Sequence, residues 1–233
     1  YTLWHTLSLH DALPILDYNQ SQTGHGKWRN ELTPEIIREA YSKSPIKPIV
    51  ITEPWYEFVE GNPIAMDIRF GAWSAFLSGA AGHSYGGGHV WKAHLPESPM
   101  GADTWPMDLS FETNTLDYPG AVSMGVMAQF LHSIDWWKLE PHPELVLDYA
   151  EPYCAANPGN EYVIYLRFGG AAKIDLTDLP PGVKFQYQWL NPSNGKIAGS
   201  GEIESGHTRT LNAPGGYPSD PDVQDWVIHI VKI

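Results

Sequence analysis

A chain of 233 residues is long enough for one domain or two smaller ones, and its 42% hydrophobic content predicts a packed core rather than disorder. Twenty-seven acidic against 14 basic residues give a formal charge of −13, which argues against nucleic acid and anionic membrane as partners, since both are gripped by dense positive charge. The lone Cys154 excludes an internal disulfide framework and a cysteine zinc site, and no apolar run reaches the ~20 residues that span a bilayer.

Residues 1–15 read YTLWHTLSLHDALPI, with no initiator Met, no basic n-region and no small-residue cleavage site, so they are not a signal peptide. The segment LSLHDALPI resembles a translated sequencing adaptor. On that reading the stretch is an artefactual leader, His5, His10 and Asp11 carry no function, and native sequence begins near Leu16, short of its own front. Leu16–Gln20 then reads as a short strand, followed by the polar loop SQTGHGKWRN. Thr33 and Pro34 suit the N-cap and first position of a helix carrying Ile36, Ile37 and Ala40 and ending near Ser44-Pro45. The β-branched run Pro48–Thr52 predicts a buried strand that delivers Glu53 at its C-terminal end. A second helix is expected over Met66–Gly79, with Phe70, Trp73, Phe76, Leu77 and Ala80 making one buried face. Ala81–Tyr85 reads as another short strand. After a long Gly/Pro-rich loop, a third helix is expected over Ala121–Ser133, with Val122, Val126 and Phe130 beside Met127, Leu131 and Ile134. This alternation is the rhythm of a parallel α/β barrel.

Beyond Trp136-Trp137 the period changes. Tyr162–Arg167, Ala172–Leu176, Phe185–Leu190, Ile197–Glu204 and Trp226–Ile233 read as strands divided by turns such as Asn157-Pro158-Gly159 and Asn194-Gly195, which predicts an antiparallel β-sandwich. The fold class is therefore α/β followed by all-β, with residues 16–137 in the first part and 138–233 in the second.

Three patterns could carry chemistry. Gly82-His83-Ser84-Tyr85-Gly86 satisfies G-x-S-x-G, which would make Ser84 the nucleophile of a serine esterase. That motif needs a buried strand before the serine and a helix directly after it, and neither flank reads so. His83, His89 and His94, with His25, match no metal-ligand spacing, so neither metal nor other cofactor is expected. The third is Glu53-Pro54-Trp55-Tyr56-Glu57. Glu53 closes a buried strand, where barrel enzymes place catalytic groups, and Pro54 holds it extended. Trp55 and Tyr56 add aromatic surface of the kind on which sugar rings stack, in a chain with ten Trp and twelve Tyr; the bland alternative is a core rich in Trp. Four extended residues span ~13 Å, too far for Glu53 and Glu57 to pair as the two carboxyls of a retaining glycosidase unless the loop folds back.

The runs KPIVITEPWYE and DIRFGAWSAFLSGAAGHSYGGGHVW resemble the apiosidase-like family of barrel glycosidases, and Gln20 to His25 is similar to that family's preceding strand and Q-(S/T)-G-H loop. Trp136-Trp137-Lys138-Leu139, Tyr162–Tyr165, Trp189-Leu190-Asn191-Pro192 and Asp225-Trp226-Val227 resemble a companion domain labelled collagen-binding. The resemblance implies that the strands ending at Gln20, Glu53 and Tyr85 are the sixth to eighth of a (β/α)8 TIM barrel. It implies a retaining glycoside hydrolase acting on plant or microbial polysaccharide side chains, with Glu53 as nucleophile and Glu57 in reserve. Gln20, His25, Trp55, Tyr56, His83, Tyr85 and Trp91 would bind the sugar. The acid/base would end strand four, upstream of residue 1, leaving this chain inactive alone although its intact parent, secreted or periplasmic, is active. The rival reading is a non-catalytic carbohydrate-binding or structural module.

Overall fold

The computed structural model describes residues 17–59, 61, 63–88, 117–216 and 225–233. Its first part is a three-stranded parallel sheet in the order β1 (Asn19–Gln22), β2 (Ile49–Glu53), β3 (Gly82–His83). Helix α1 (Lys27–Tyr41) connects the first pair and α2 (Ala65–Leu77) the second. Ile49 and Ile51 of β2 are fully buried and share a core with Ile37 and Ala40 of α1 and Ala75 of α2. Val50 and Thr52 alternate onto the opposite, part-buried face.

Two expectations at this end are corrected. The first strand is shifted from Leu16–Gln20 to Asn19–Gln22, which sets Gln20 opposite Val50 and Gln22 opposite Glu53. NQSQ has no apolar alternation, so its register comes from pairing with β2 and not from its own pattern. Helix α1 begins at Lys27, well ahead of Thr33, and Pro34 lies inside it. Asn30, Thr33, Pro34, Ile37 and Ala40 form one buried stripe, and the Asn30 side-chain amide donates to the Asp67 carbonyl at 2.9 Å. Burial of that stripe against α2 outweighs the missing Pro34 N–H.

Helix α2 starts where the Asp67 carboxylate accepts the Ile64 N–H at 3.0 Å. Instead of showing one buried face it is buried all round, every residue from Ile68 to Ala75 included. One side meets the parallel sheet, and the other carries Phe70, Ala72, Trp73 and Leu77 onto the C-terminal sheet. Helix α3 (Pro119–His132) opens on proline, as a first helical position allows. Its buried stripe is Gly120, Ser123, Met127 and Phe130; Val122, expected on it, is 50% exposed.

The remainder is antiparallel. β4 (Glu140–Pro141), β6 (Tyr153–Asn157), β7 (Glu161–Leu166), β12 (Trp226–Lys232), β9 (Lys184–Leu190) and β10 (Ile197–Glu204) form a six-stranded sheet in the order β10-β9-β12-β7-β6-β4. β5 (Val146–Leu147), β8 (Gly169–Ile174) and β11 (Arg209–Gly216) form a three-stranded one in the order β11-β8-β5. Tyr162, Ile164, Leu166, Trp226, Ile228 and Ile230 of the larger sheet share a core with Ala172, Ile174 and Leu211 of the smaller. On the other face Tyr153, Val163, Tyr165 and Val227 pack on Trp73, Met127 and Phe130. Both faces of β7 are thus covered, which is why YVIYL reads as an unbroken apolar run.

Candidate functional site

The site gathers where the chain leaves the C-terminal ends of β1, β2 and β3. After β1, Gly24 takes a φ of +68° and donates its N–H to the Glu53 carbonyl at 2.9 Å, which lays His25 beside the end of β2. His25 Nδ1 accepts the Tyr56 N–H at 3.4 Å, so the neutral ring carries its proton on Nε2. That nitrogen stands 3.8 Å from Glu53 Oε1, beyond hydrogen-bonding reach, and the Glu53 side chain is 38% exposed. The Tyr56 ring meets His25 edge-on at 4.6 Å between centroids. Burial, then the Glu53 charge, raises the Tyr56 phenol above its ordinary pKa. Behind Tyr56 runs the backbone of Gly86, where any Cβ would drive into the tyrosine ring.

Glu57 is in a different situation. Its backbone pairs across to the segment after β3, with its N–H on the Gly86 carbonyl at 2.9 Å and its carbonyl accepting from Gly88 N–H at 2.8 Å. The residue is 1% exposed. Its carboxylate accepts the Tyr85 hydroxyl at 2.8 Å and the Gly120 N–H at 3.0 and 3.1 Å to its two oxygens. Gly120 is the second residue of α3, so a carboxylate caps the positive end of that helix. Burial, then the bond to Glu57, raises the Tyr85 phenol far above its ordinary value.

The other expected residues fall in several places. Trp55, expected as an aromatic wall, is 5% exposed and donates its indole N–H to the Val59 carbonyl at 2.9 Å, so it is a core residue. Gln20 is exposed on β1 but level with Val50, and it is Gln22 that stands level with Glu53. Both ring nitrogens of His83 are buried without a partner among the described residues, and burial lowers its pKa to about 4. Ser84 donates its hydroxyl to the Thr52 carbonyl at 2.8 Å, and β3 before it is two residues long, so it is not presented as a nucleophile. Trp91, His89 and His94 lie outside the described residues. Among the described residues no three His, Cys, Asp or Glu side chains cluster as a metal site.

One aromatic went unnoticed in the polar loop. Trp28, in the first turn of α1, is 62% exposed; its indole Cδ1 and Nε1 lie 3.7 Å from where a Gly26 Cβ would stand, and the Arg29 guanidinium is 5.0 Å from its ring centre. Gly26 follows His25 directly, so this exposed ring lies on the segment that leads from the end of β1 into α1. The signal was there to read: a Trp amid polar residues, Lys27 before it and Arg29, Asn30 and Glu31 after it.

Comparison with known proteins gives two family matches. A model described as "Apiosidase-like, catalytic domain" matches residues 3–138, and one described as "Putative collagen-binding domain of a collagenase" matches residues 141–231. No curated protein matches the chain. Among solved structures, one titled "Glycoside hydrolase" superposes with a TM-score of 0.78 at 19% identity, covering 95% of this chain and 54% of that one. A glycoside hydrolase family 5 protein from Bacteroides vulgatus gives 0.75 at 20%, covering 93% and 50%. The chain therefore spans about half the length of these neighbours, and the likeness to them is one of fold.

Proposed function

The chain belongs to the apiosidase-like catalytic family, and from that premise we propose that it is the C-terminal part of a retaining glycoside hydrolase whose nucleophile is Glu53. In this reading β1, β2 and β3 are strands six to eight of a (β/α)8 barrel within residues 16–137, and the two antiparallel sheets are a β-sandwich over 138–233. The substrate is a side chain of a plant or microbial polysaccharide, met outside the cytoplasm.

The observation that carries the assignment is the contrast between the two glutamates. A nucleophile needs an unshared lone pair facing the substrate. Glu53 has a part-exposed carboxylate at the C-terminal end of the middle strand, with His25 Nε2 3.8 Å away, too far to occupy its lone pairs. The Glu57 oxygens are already taken by Tyr85 and Gly120. In the reaction a Glu53 oxygen attacks the anomeric carbon while the bond to the leaving oxygen breaks and a second carboxyl protonates that oxygen; water then cleaves the glycosyl ester. That second group stands ~5–5.5 Å from the first in retaining enzymes and is assigned to the half of the structural neighbours that this chain does not span. Tyr56 supplies ring surface beside Glu53, and the exposed Trp28 at the start of α1 is offered as a second sugar-stacking ring.

The test assays this chain, and a chain extended to the length of its structural neighbours, against aryl glycosides and pectic oligosaccharides. The extended protein is expected to turn over substrate and to lose that turnover in Glu53→Gln. Turnover surviving the substitution overturns the nucleophile assignment. Turnover by the 233 residues alone overturns the claim that catalysis needs the remaining half.

A further inference from the structure

We propose that Asp225 is a positioning residue for the catalytic loop, so that the C-terminal sheet anchors that loop instead of acting as a free binding module; the inference rests on the reading of Glu53 above. Arg69 of α2 is a buried cation and must find fixed partners. Asp225, next to the start of β12 and itself buried, takes two of its nitrogens in a fork, Nε to Oδ2 and Nη2 to Oδ1, both at 2.7 Å. The same carboxylate accepts the Tyr165 hydroxyl of β7 at 2.9 Å, which fixes it to the centre of the sheet. The third nitrogen, Nη1, reaches the other way and donates to Ser123 Oγ at 3.3 Å, and that hydroxyl donates to the Pro119 carbonyl at 2.7 Å.

Arg69 therefore spans from the sheet to the first turn of α3. That turn presents the Gly120 N–H to Glu57, which closes the loop opened by Glu53. Burial disfavours the Arg69 charge, but the bond to Asp225 and its charge, with smaller parts from Tyr165 and Glu57, together hold its pKa above the ordinary value. A planar guanidinium held at both ends has one orientation, so a shift at Asp225 becomes a shift at the α3 N-terminus. A second fork points the same way. Arg167, at the end of β7, binds Glu31 of α1 at 2.6 and 2.8 Å while lying 3.7 Å over the Phe70 ring. The sheet thus grips the helix that follows His25 as well as the one that caps Glu57. The D-x-R and Asp-Trp motifs, 156 residues apart, are the two halves of one buried ion pair.

The test is amide hydrogen exchange, read by NMR on the whole 233-residue chain. In Asp225→Asn the Gly120 amide is expected to exchange about tenfold faster or more, as loss of one charge-assisted hydrogen bond implies, while Ile164 and Ile228 keep their protection; Asp225→Glu recovers part of the effect. Unchanged Gly120 exchange in folded Asp225→Asn overturns the proposal. If that variant does not fold, Ser123→Ala decides, because it keeps the ion pair and removes the relay from Arg69 through the Ser123 hydroxyl to the Pro119 carbonyl. Faster Gly120 exchange at an unchanged melting temperature supports the proposal, and unchanged exchange sinks it. Absence of glycosidase turnover in the extended protein would strike the Glu53 reading and leave this coupling standing.

Discussion

Replacing each of the two glutamates by glutamine tests the proposed division between a structural carboxylate at Glu57 and a reactive one at Glu53. At Glu57 the amide oxygen, set where Oε2 stands, can still accept both the Tyr85 hydroxyl and the Gly120 N–H, but both bonds lose their charge and the NH2 group replaces the oxygen that took the second arm from Gly120. Exchanging two hydrogen bonds to a charged acceptor for two neutral ones costs about 1–1.5 kcal/mol each. Removing the negative charge from the α3 N-terminus adds about 0.3–1 kcal/mol. Relief from burying a charge offsets part of this, so the net loss is about 2–3 kcal/mol. Chains of this length lose about 2–4 °C per kcal/mol, which puts the Glu57→Gln melting temperature about 4–12 °C below the parent's. At Glu53 the closest ion-pair partner is at 3.8 Å and the side chain is part-exposed, so Glu53→Gln should stay within about 0.5 kcal/mol and about 2 °C. Calorimetric melts of both variants at pH 7 decide the matter. Equal losses at the two sites, or a Glu57→Gln protein melting with the parent, would refute the division of roles.

Further outcomes are expected at Gly86, His83 and Trp28. Gly86→Ala should cost about 1–3 kcal/mol by overpacking the Tyr56 ring and should weaken the His25–Tyr56 ring contact in NMR; a full-strength contact would contradict the geometry. His83 has a folded pKa of about 4 against 6.5. The unfolded chain takes up the proton first, so stability that is full above pH 6.5 declines below it, with about 2 kcal/mol gone by pH 5 and the rest by about pH 4. A His83→Leu protein should lose less on going from pH 7 to 5, and a slope equal to the parent's would count against burial as the cause. Trp28→Ala should leave melting unchanged, since the ring is exposed. In the extended enzyme it should raise KM for an oligosaccharide about tenfold, equivalent to ~1.4 kcal/mol of lost ring contact, with Trp28→Tyr largely restoring it; an unchanged KM would remove Trp28 from the site.

Much of the fold could be read where local pattern and tertiary demand agree. PIVIT is β-branched, short and stopped by Pro54, and β2 lies one residue from its expected bounds, with Glu53 at its end. β7, β9, β10 and β12 were legible because apolar runs sit between turn residues. β6, YCAAN, was not, because its small residues carry little pattern, and neither was β11, whose Pro214 argues against a strand. The candidate site was legible as chemistry but not as roles. Trp55 and Trp28 are alike by composition, yet one indole is buried on a carbonyl four residues along and the other lies open over Gly26. Glu53 and Glu57 sit in one five-residue motif, and what distinguishes them comes from far along the chain. Gly120 is 63 residues from Glu57 and arrives on a helix whose first turn is held, through Arg69, by an aspartate beside the final strand. A motif names the groups available for chemistry. Which of them is free to react depends on what the rest of the chain has already bonded to the others.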